Sequence, residues 1–154
     1  MRVQTTRFGD LEAPEEDLLF FPDGLYGFGD VRRFLLVKHG DDSPFRWLQA
    51  ADRPDLAFVV LDPALFRPDY RFDLAGDDRR ALEWDGRERL DVWVVVGVPD
   101  DPAQMTANLK GPIVVNREKK IGRQVILSGD EWSPRHGVIE GIRGGGGRRA
   151  AAGG

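Results

Sequence analysis

The sequence predicts a mainly β protein: a compact, antiparallel β-barrel-like single domain with one or two short helices. Apolar residues fall in short runs rich in valine, phenylalanine and tryptophan, too short for core helices. Clusters of Gly, Pro, Asp and Ser stand between these runs at nearly regular spacing. The chain has 154 residues, enough for one ordinary domain and its core.

The elements follow in order. "VQTTRFGDLEA" reads as a hairpin around Gly9 and Asp10. "DLLFF" (17–21), "RFLLV" (33–37), "FRWLQ" (45–49), "LAFVVL" (56–61), "YRFDL" (70–74), "VWVVVGV" (92–98), "PIVVN" (112–116) and "QVIL" (124–127) read as strands. "DDRRALEW" (77–84) is the predicted helix, with Asp77 or Asp78 as its N-cap and Ala81, Leu82 and Trp84 apolar. A second helical turn is expected at 29–33. In 92–98, Val92, Val94, Val96 and Val98 alternate with Trp93, Val95 and Gly97. Both faces are apolar, so this strand is expected to be central and covered on both sides, with Trp93 and Val95 in the core. Pro112 lacks a donor, which suits the first residue of a strand or an edge.

"FPDGLYGFGD" (21–30) holds glycines at 24, 27 and 29 in the order G-x-x-G-x-G, which is not a dinucleotide fingerprint. The expected role is a compact loop in which glycine allows positive φ and close chain approach. Phe21, Leu25, Tyr26 and Phe28 are then expected to plug one end of the barrel.

Residues 143–154 are only Arg, Gly and Ala, and read as a flexible tail after a folded body of residues 1–142. The formal charge is −4; without the three tail arginines the body carries −7. Such a body repels a phosphate backbone and favours a basic protein partner. Cysteine is absent, which excludes disulfides and thiolate chemistry. No apolar run approaches a membrane span, and "MRVQTTRFGD" lacks a signal peptide's apolar core. The expectation is a cytoplasmic protein with no membrane association.

Candidate chemistry is sparse. His39 sits in the turn-like "KHGDD" and reads as a solvated surface residue, while His136 has no nucleophile elbow to serve. Adjacent acids such as Asp41-Asp42 and Asp77-Asp78 suit turns and helix caps better than catalytic pairs, which face each other across a cleft. No catalytic residue, cofactor or metal site is expected.

Three segments together carry a family resemblance: "FPDGLYGF" (21–28), "SPFRWLQAADRPDLAFVVLDPALFRPDYRFDL" (43–74) and "TANLKGPIVVNREKKIGRQVIL" (106–127). Their succession resembles the FliW family of flagellar assembly factors. The resemblance implies a small β-barrel-like domain without catalysis. It also implies two partners, flagellin, which it holds like a chaperone, and the translational regulator CsrA, whose repression of flagellin mRNA it relieves. A monomeric state and no direct nucleic-acid contact complete the expectation. The alternative class is a nucleic-acid-binding β-barrel with aromatic stacking platforms, against which the acidic body argues.

Four residues are the candidate partner contacts. Asp69 and Tyr70 follow a proline at a strand entrance, where loops carry function, although Tyr70 equally suits the first core position of its strand. Asn108 and Lys110 belong to "TANLKGPIVVN", whose short polar side chains are expected chiefly to shape the barrel.

Overall fold

The computed structural model describes residues 1–139. The predicted tail, 143–154, lies outside the described residues. The strands are β1 (Arg2–Thr5), β2 (Gly9–Glu12), β3 (Leu19–Phe20), β4 (Arg33–Lys38), β5 (Arg46–Ala50), β6 (Ala57–Leu61), β7 (Leu90–Gly97), β8 (Thr106–Ala107), β9 (Ile113–Asn116), β10 (Ile121–Gln124) and β11 (His136–Gly137). One helix, α1 (Gly76–Ala81), and three 3-10 turns at 15–17, 63–65 and 102–104 complete them.

The protein is mainly β, and seven strands close into a barrel. The order is β3-β4-β5-β6-β7-β9-β10, with β10 returning to β3 through the pair Ile121 and Phe20. That closing pair is parallel; the other neighbours are antiparallel. β1 and β2 form a separate hairpin, tied to the barrel where the Thr6 N–H donates to the Pro54 carbonyl at 2.8 Å.

β7 is the hinge of the topology because it serves both a barrel and an outer layer. Trp93 and Val95 pack on the interior cluster of Leu19, Phe21, Phe34, Leu48, Val60 and Ile113. Val94 and Val96 face outward into a second cluster with Leu61, Phe66, Met105, Leu109 and Trp132. Two-sided coverage is therefore as expected, except that Trp93 and Val95 are half-buried rather than fully buried and Val98 lies past the strand and is exposed.

"TANLKGPIVVN" is one strand with an excursion in its middle. Ala107 pairs with Val96 and Ile113 with Trp93, so six steps on this strand span three on β7. The surplus bulges out between β8 and β9, the usual effect of extra residues in an antiparallel pair. The Asn108 carboxamide oxygen closes the bulge by accepting from the N–H groups of Lys110 (3.1 Å) and Gly111 (3.0 Å). Leu109 is driven into the outer cluster. Asn116, fully buried, donates to the Leu82 carbonyl at 3.0 Å and to Glu88 at 3.2 Å. Pro112 comes immediately before β9, as its missing N–H requires.

Several expectations are corrected. "YRFDL" (70–74) forms no ladder; Tyr70, Phe72 and Leu74 still alternate inward, onto the outer clusters. Alternation reports which side is buried, not whether the backbone has a strand partner. "QVIL" overlaps β10 only at Gln124. The N–H groups of Val125 and Leu127 go on donating to Pro112 and Lys110, yet their partner is the bulge, so the ladder stops being regular. The helix starts at Gly76 and ends at Ala81, with Ala75 as an N-cap that makes no side-chain bond. Neither Asp77 nor Asp78 caps it, because the helix begins before both and they lie inside its first turn; the Asp78 carboxylate accepts from Arg123 at 2.7 Å. No helical turn forms at 29–33, where β4 begins instead.

Phe21 does plug the barrel. It is fully buried, and its ring lies over Gly122 so closely that a Cβ there would sit 2.3 Å from Phe21 Cζ. Leu25 is buried and Phe28 half-buried, edge-on to Phe58 at 5.3 Å. Tyr26 breaks the expectation: it is 82% exposed.

Candidate partner-binding surface

Tyr26 is exposed because its backbone leaves it no alternative. Leu25 and Phe28 exchange hydrogen bonds across the tight turn Leu25-Tyr26-Gly27-Phe28, with Gly27 at φ +87°. Behind it, Gly24 has φ +65°, and a Cβ there would meet the Phe28 carbonyl oxygen at 2.2 Å. Only glycine permits both the dihedral and the approach. The turn thus doubles back on itself and projects Tyr26 outward. The Tyr26 N–H donates to the Gln124 side chain at 2.7 Å, which fixes the tip against β10.

Ile126, just past β10, is 58% exposed. Between it and Tyr26 runs a groove of about 380 Å³ lined also by Leu25, Arg123 and Gln124. A second cleft of about 550 Å³ continues on the other side of Ile126, toward Phe72, Asp78, Leu127 and Trp132. Arg123 locks the floor: it pairs with Asp78 at 2.7 Å and with Asp23, and has Asp77 at 3.9 Å. The loop 22–30, β10 and α1 are thereby held as one platform.

The four residues expected at a partner surface occupy the neighbouring strip. The Tyr70 hydroxyl donates to the Leu109 carbonyl, and its ring meets Trp132 edge-on at 4.7 Å. Burial pushes the Tyr70 phenol well above its ordinary value. Tyr70 therefore anchors the segment 67–72 to the bulge while half-buried, and no strand forms there for it to begin. Asp69 is exposed and held by Arg67 at 2.8 and 2.7 Å, and this hydrogen-bonded pair lowers its carboxyl from 3.8 to about 2. Arg67 in turn lies over the Trp132 ring at 4.8 Å. Asn108 is half-buried and occupied with the bulge; Lys110 is half-buried beside it, and its carbonyl accepts from Leu127. The chain thus brings Tyr70, Asn108 and Lys110 together around Leu109. Sequence reasoning missed Ile126 and misread Tyr26. The apolar residue at the end of "RQVI", past the alternation of its strand, is the one signal that could have found the former.

His39 is exposed and stacks on Trp47 at 5.8 Å, as a surface histidine. His136, on β11, stacks on Phe66 at 5.9 Å. Among the described residues, no group of three or more His, Cys, Asp or Glu is gathered to hold a metal ion. No helix among them is long and apolar enough to cross a membrane.

The family model described as FliW protein matches residues 2–138, nearly the whole described chain. The chain belongs to the FliW family. Relatives named flagellar assembly factor FliW include one from Thermoanaerobacter pseudethanolicus, 39% identical over 144 residues, covering 93% of this chain and 96% of that protein. Another, from Geotalea uraniireducens, is 42% identical over 140 residues, covering 91% of this chain and 85% of the relative. The crystal structure of a flagellar assembly factor FliW superposes with a TM-score of 0.84 at 32% identity, covering 90% of this chain and 97% of that one. The barrel is thus also the fold of a solved flagellar assembly factor FliW, and the Tyr26 platform is described for this chain.

Proposed function

We propose that this chain is a non-catalytic flagellar assembly factor of the cytoplasm that binds flagellin and binds the translational regulator CsrA. By capturing CsrA it relieves repression of flagellin mRNA; by holding flagellin it protects the subunit before export. The family membership supports the assembly role. The observation that favours a docking function is the pairing of Tyr26 and Ile126, two large exposed side chains flanking one groove on a platform locked by Arg123. Tyrosine offers an apolar body with a polar tip, the combination that binding hot spots favour.

In this reading the apolar face takes flagellin, with Asp69 and Lys110 at its border and Tyr70 and Asn108 holding its backbone in place. The basic partner meets acids that lie elsewhere. Glu15, Glu16, Asp17, Asp41 and Asp42 are exposed and form no ion pair among the described residues. They supply the negative field that speeds encounter with a basic surface.

The test is co-purification of the full chain with flagellin and, separately, with CsrA, using wild type and the double variant Tyr26→Ala, Ile126→Ser. The double variant should lose flagellin and keep CsrA. CsrA association should slow as salt rises, since screening acts over about 8 Å at physiological ionic strength. Retention of flagellin by a folded double variant would remove the Tyr26 face from the proposal, and capture of neither partner by wild type would remove the proposal.

A further inference from the structure

The two ends of the barrel are built differently. Phe21 closes one. At the other, β3, β5, β7 and β10 begin and β4, β6 and β9 end, and the wall encloses a cleft of about 700 Å³. Leu19, Leu36, Trp93 and Val115 give it an apolar floor.

The register shows which polar groups point into this mouth. Arg46 pairs with Val60, and Val60 pairs with Val95. Residues directly opposite in a ladder share a face, and both valines pack in the barrel interior. Arg46 is therefore an inward-facing arginine, with its guanidinium 5.9 Å from the centre of the Trp93 ring. One terminal nitrogen donates to the Ser43 and Phe45 carbonyls at 3.1 Å, which leaves its other N–H groups free. No carboxylate pairs with Arg46, or with Lys120 at the same mouth, among the described residues.

The acids of the mouth are engaged. Asp91 is clasped by Arg117 at 2.8 Å, with Arg89 at 3.5 Å, and the Asp62 carboxylate accepts from the Ala64 N–H at 3.0 Å. Asp17 is exposed on the outer lip. Four cations against three acids make this mouth net positive on a chain whose formal charge is −4. A half-buried guanidinium with spare donors above an apolar floor complements an anionic head on an apolar stem. Mouths of small β-barrels are among the places where such ligands sit.

We propose that the open end of the barrel is a binding site for a small amphipathic monocarboxylate. The carboxylate lies between Arg46 and Lys120, and the apolar stem runs over Trp93 toward Leu36 and Val115. This site is separate from the Tyr26 platform and stands whether or not that platform binds flagellin.

The probes are decanoate and decanol, equal in stem and different in head, titrated calorimetrically into the full chain. Decanoate should bind one to one, and decanol roughly tenfold or more weakly, the size expected for losing charge-assisted hydrogen bonds. Arg46→Gln should weaken decanoate by a similar factor and leave decanol unchanged. In ¹⁵N spectra the Trp93 indole N–H peak, assigned with Trp93→Phe, should shift with decanoate. Equal affinity for the two probes, unchanged decanoate binding in Arg46→Gln, or no saturable binding would each overturn the site. If Arg46→Gln does not fold, the wild-type comparison of the two probes and the Lys120→Gln variant decide.

Discussion

Both tyrosines of the chain follow a Pro-Asp pair in a turn, and their surroundings could hardly differ more. Tyr26 stands at the tip of a glycine turn, 82% exposed, bonded through its backbone N–H to Gln124. Tyr70 ends the turn 67–70, with its hydroxyl on the Leu109 carbonyl and its ring against Trp132. A buried tyrosine needs an acceptor for its hydroxyl. The bulge at 108–112 supplies one at Leu109, where the regular ladder is interrupted and a carbonyl is turned outward. The loop 22–30 offers Tyr26 no such carbonyl and turns its tip away from the barrel. One tyrosine is thus available for binding and the other holds the chain together.

The largest way to break this contrast is at Gly24. A side chain there combines a positive φ with a Cβ 2.2 Å from the Phe28 oxygen, so the loop has to rebuild. Gly24→Val is expected to cost about 3 kcal/mol, the sum of backbone strain and a clash that nothing flexible can relieve. Gly27→Ala has the strain without the contact and should cost nearer 1 kcal/mol. Urea unfolding midpoints of the two variants check the order. If they match, close approach is not what shapes the loop.

Tyr70 comes next. Tyr70→Ala should cost about 2–4 kcal/mol through the cavity beside Trp132, while Tyr70→Phe keeps the packing and should cost about 1 kcal/mol for the lost hydrogen bond. The phenol adds a pH test. Its folded pKa is raised above the ordinary 10.0, so the neutral form is the one the fold keeps. Its contribution is full below pH 10 and declines as pH rises toward the folded value. Wild type should therefore lose stability in alkali that Tyr70→Phe does not lose. Parallel melting curves above pH 10 would sink the buried-phenol account.

The same pair of residues shows what was legible in the sequence. Strands β4 to β7 and β9 follow from apolar runs between turn residues, because a run of valine and phenylalanine has one good way to be buried in a small barrel. The family resemblance likewise rested on local segments and holds. Tyr70 against Leu109 was not legible, since it joins positions far apart through a carbonyl freed by a bulge. Nor was Asp78: expected as a cap, it lies inside the helix and pairs with Arg123 from a strand 45 residues on. Ile126 is exposed because it alternates with Val125 and Leu127, whose N–H groups go on donating across to the bulge; the end of "RQVI" was the only trace of it in the sequence. The site is less legible than the fold because it is made where regular pattern stops.

Tyr26→Ala should leave stability within about 0.5 kcal/mol of wild type, as an exposed side chain implies. If the proposed face is right, its effect appears in flagellin binding, expected to weaken roughly tenfold as hot-spot truncations do. Equilibrium unfolding and a binding titration on the same sample separate the two. A marked loss of stability would mean that the ring packs on Ile126 and supports the platform, which would make the two tyrosines alike.

The smallest effect is expected at Asp69. Its carboxylate is exposed, and Arg67, its partner, already rests on Trp132, so the pair adds little to an arginine that packing has placed. Lowering of the carboxyl from 3.8 to about 2 gives the sign. The charged form is favoured in the fold, so the contribution is present above pH 3.8 and fades as pH falls through about 2. Asp69→Asn should therefore lower the melting temperature less than Tyr70→Phe at pH 7, and the gap from wild type should close on acidification to pH 2. A loss at Asp69→Asn as large as that of Tyr70→Ala would show that the ion pair, not the tyrosine, pins the 67–72 segment. The contrast with Tyr26 would then rest on the wrong residue.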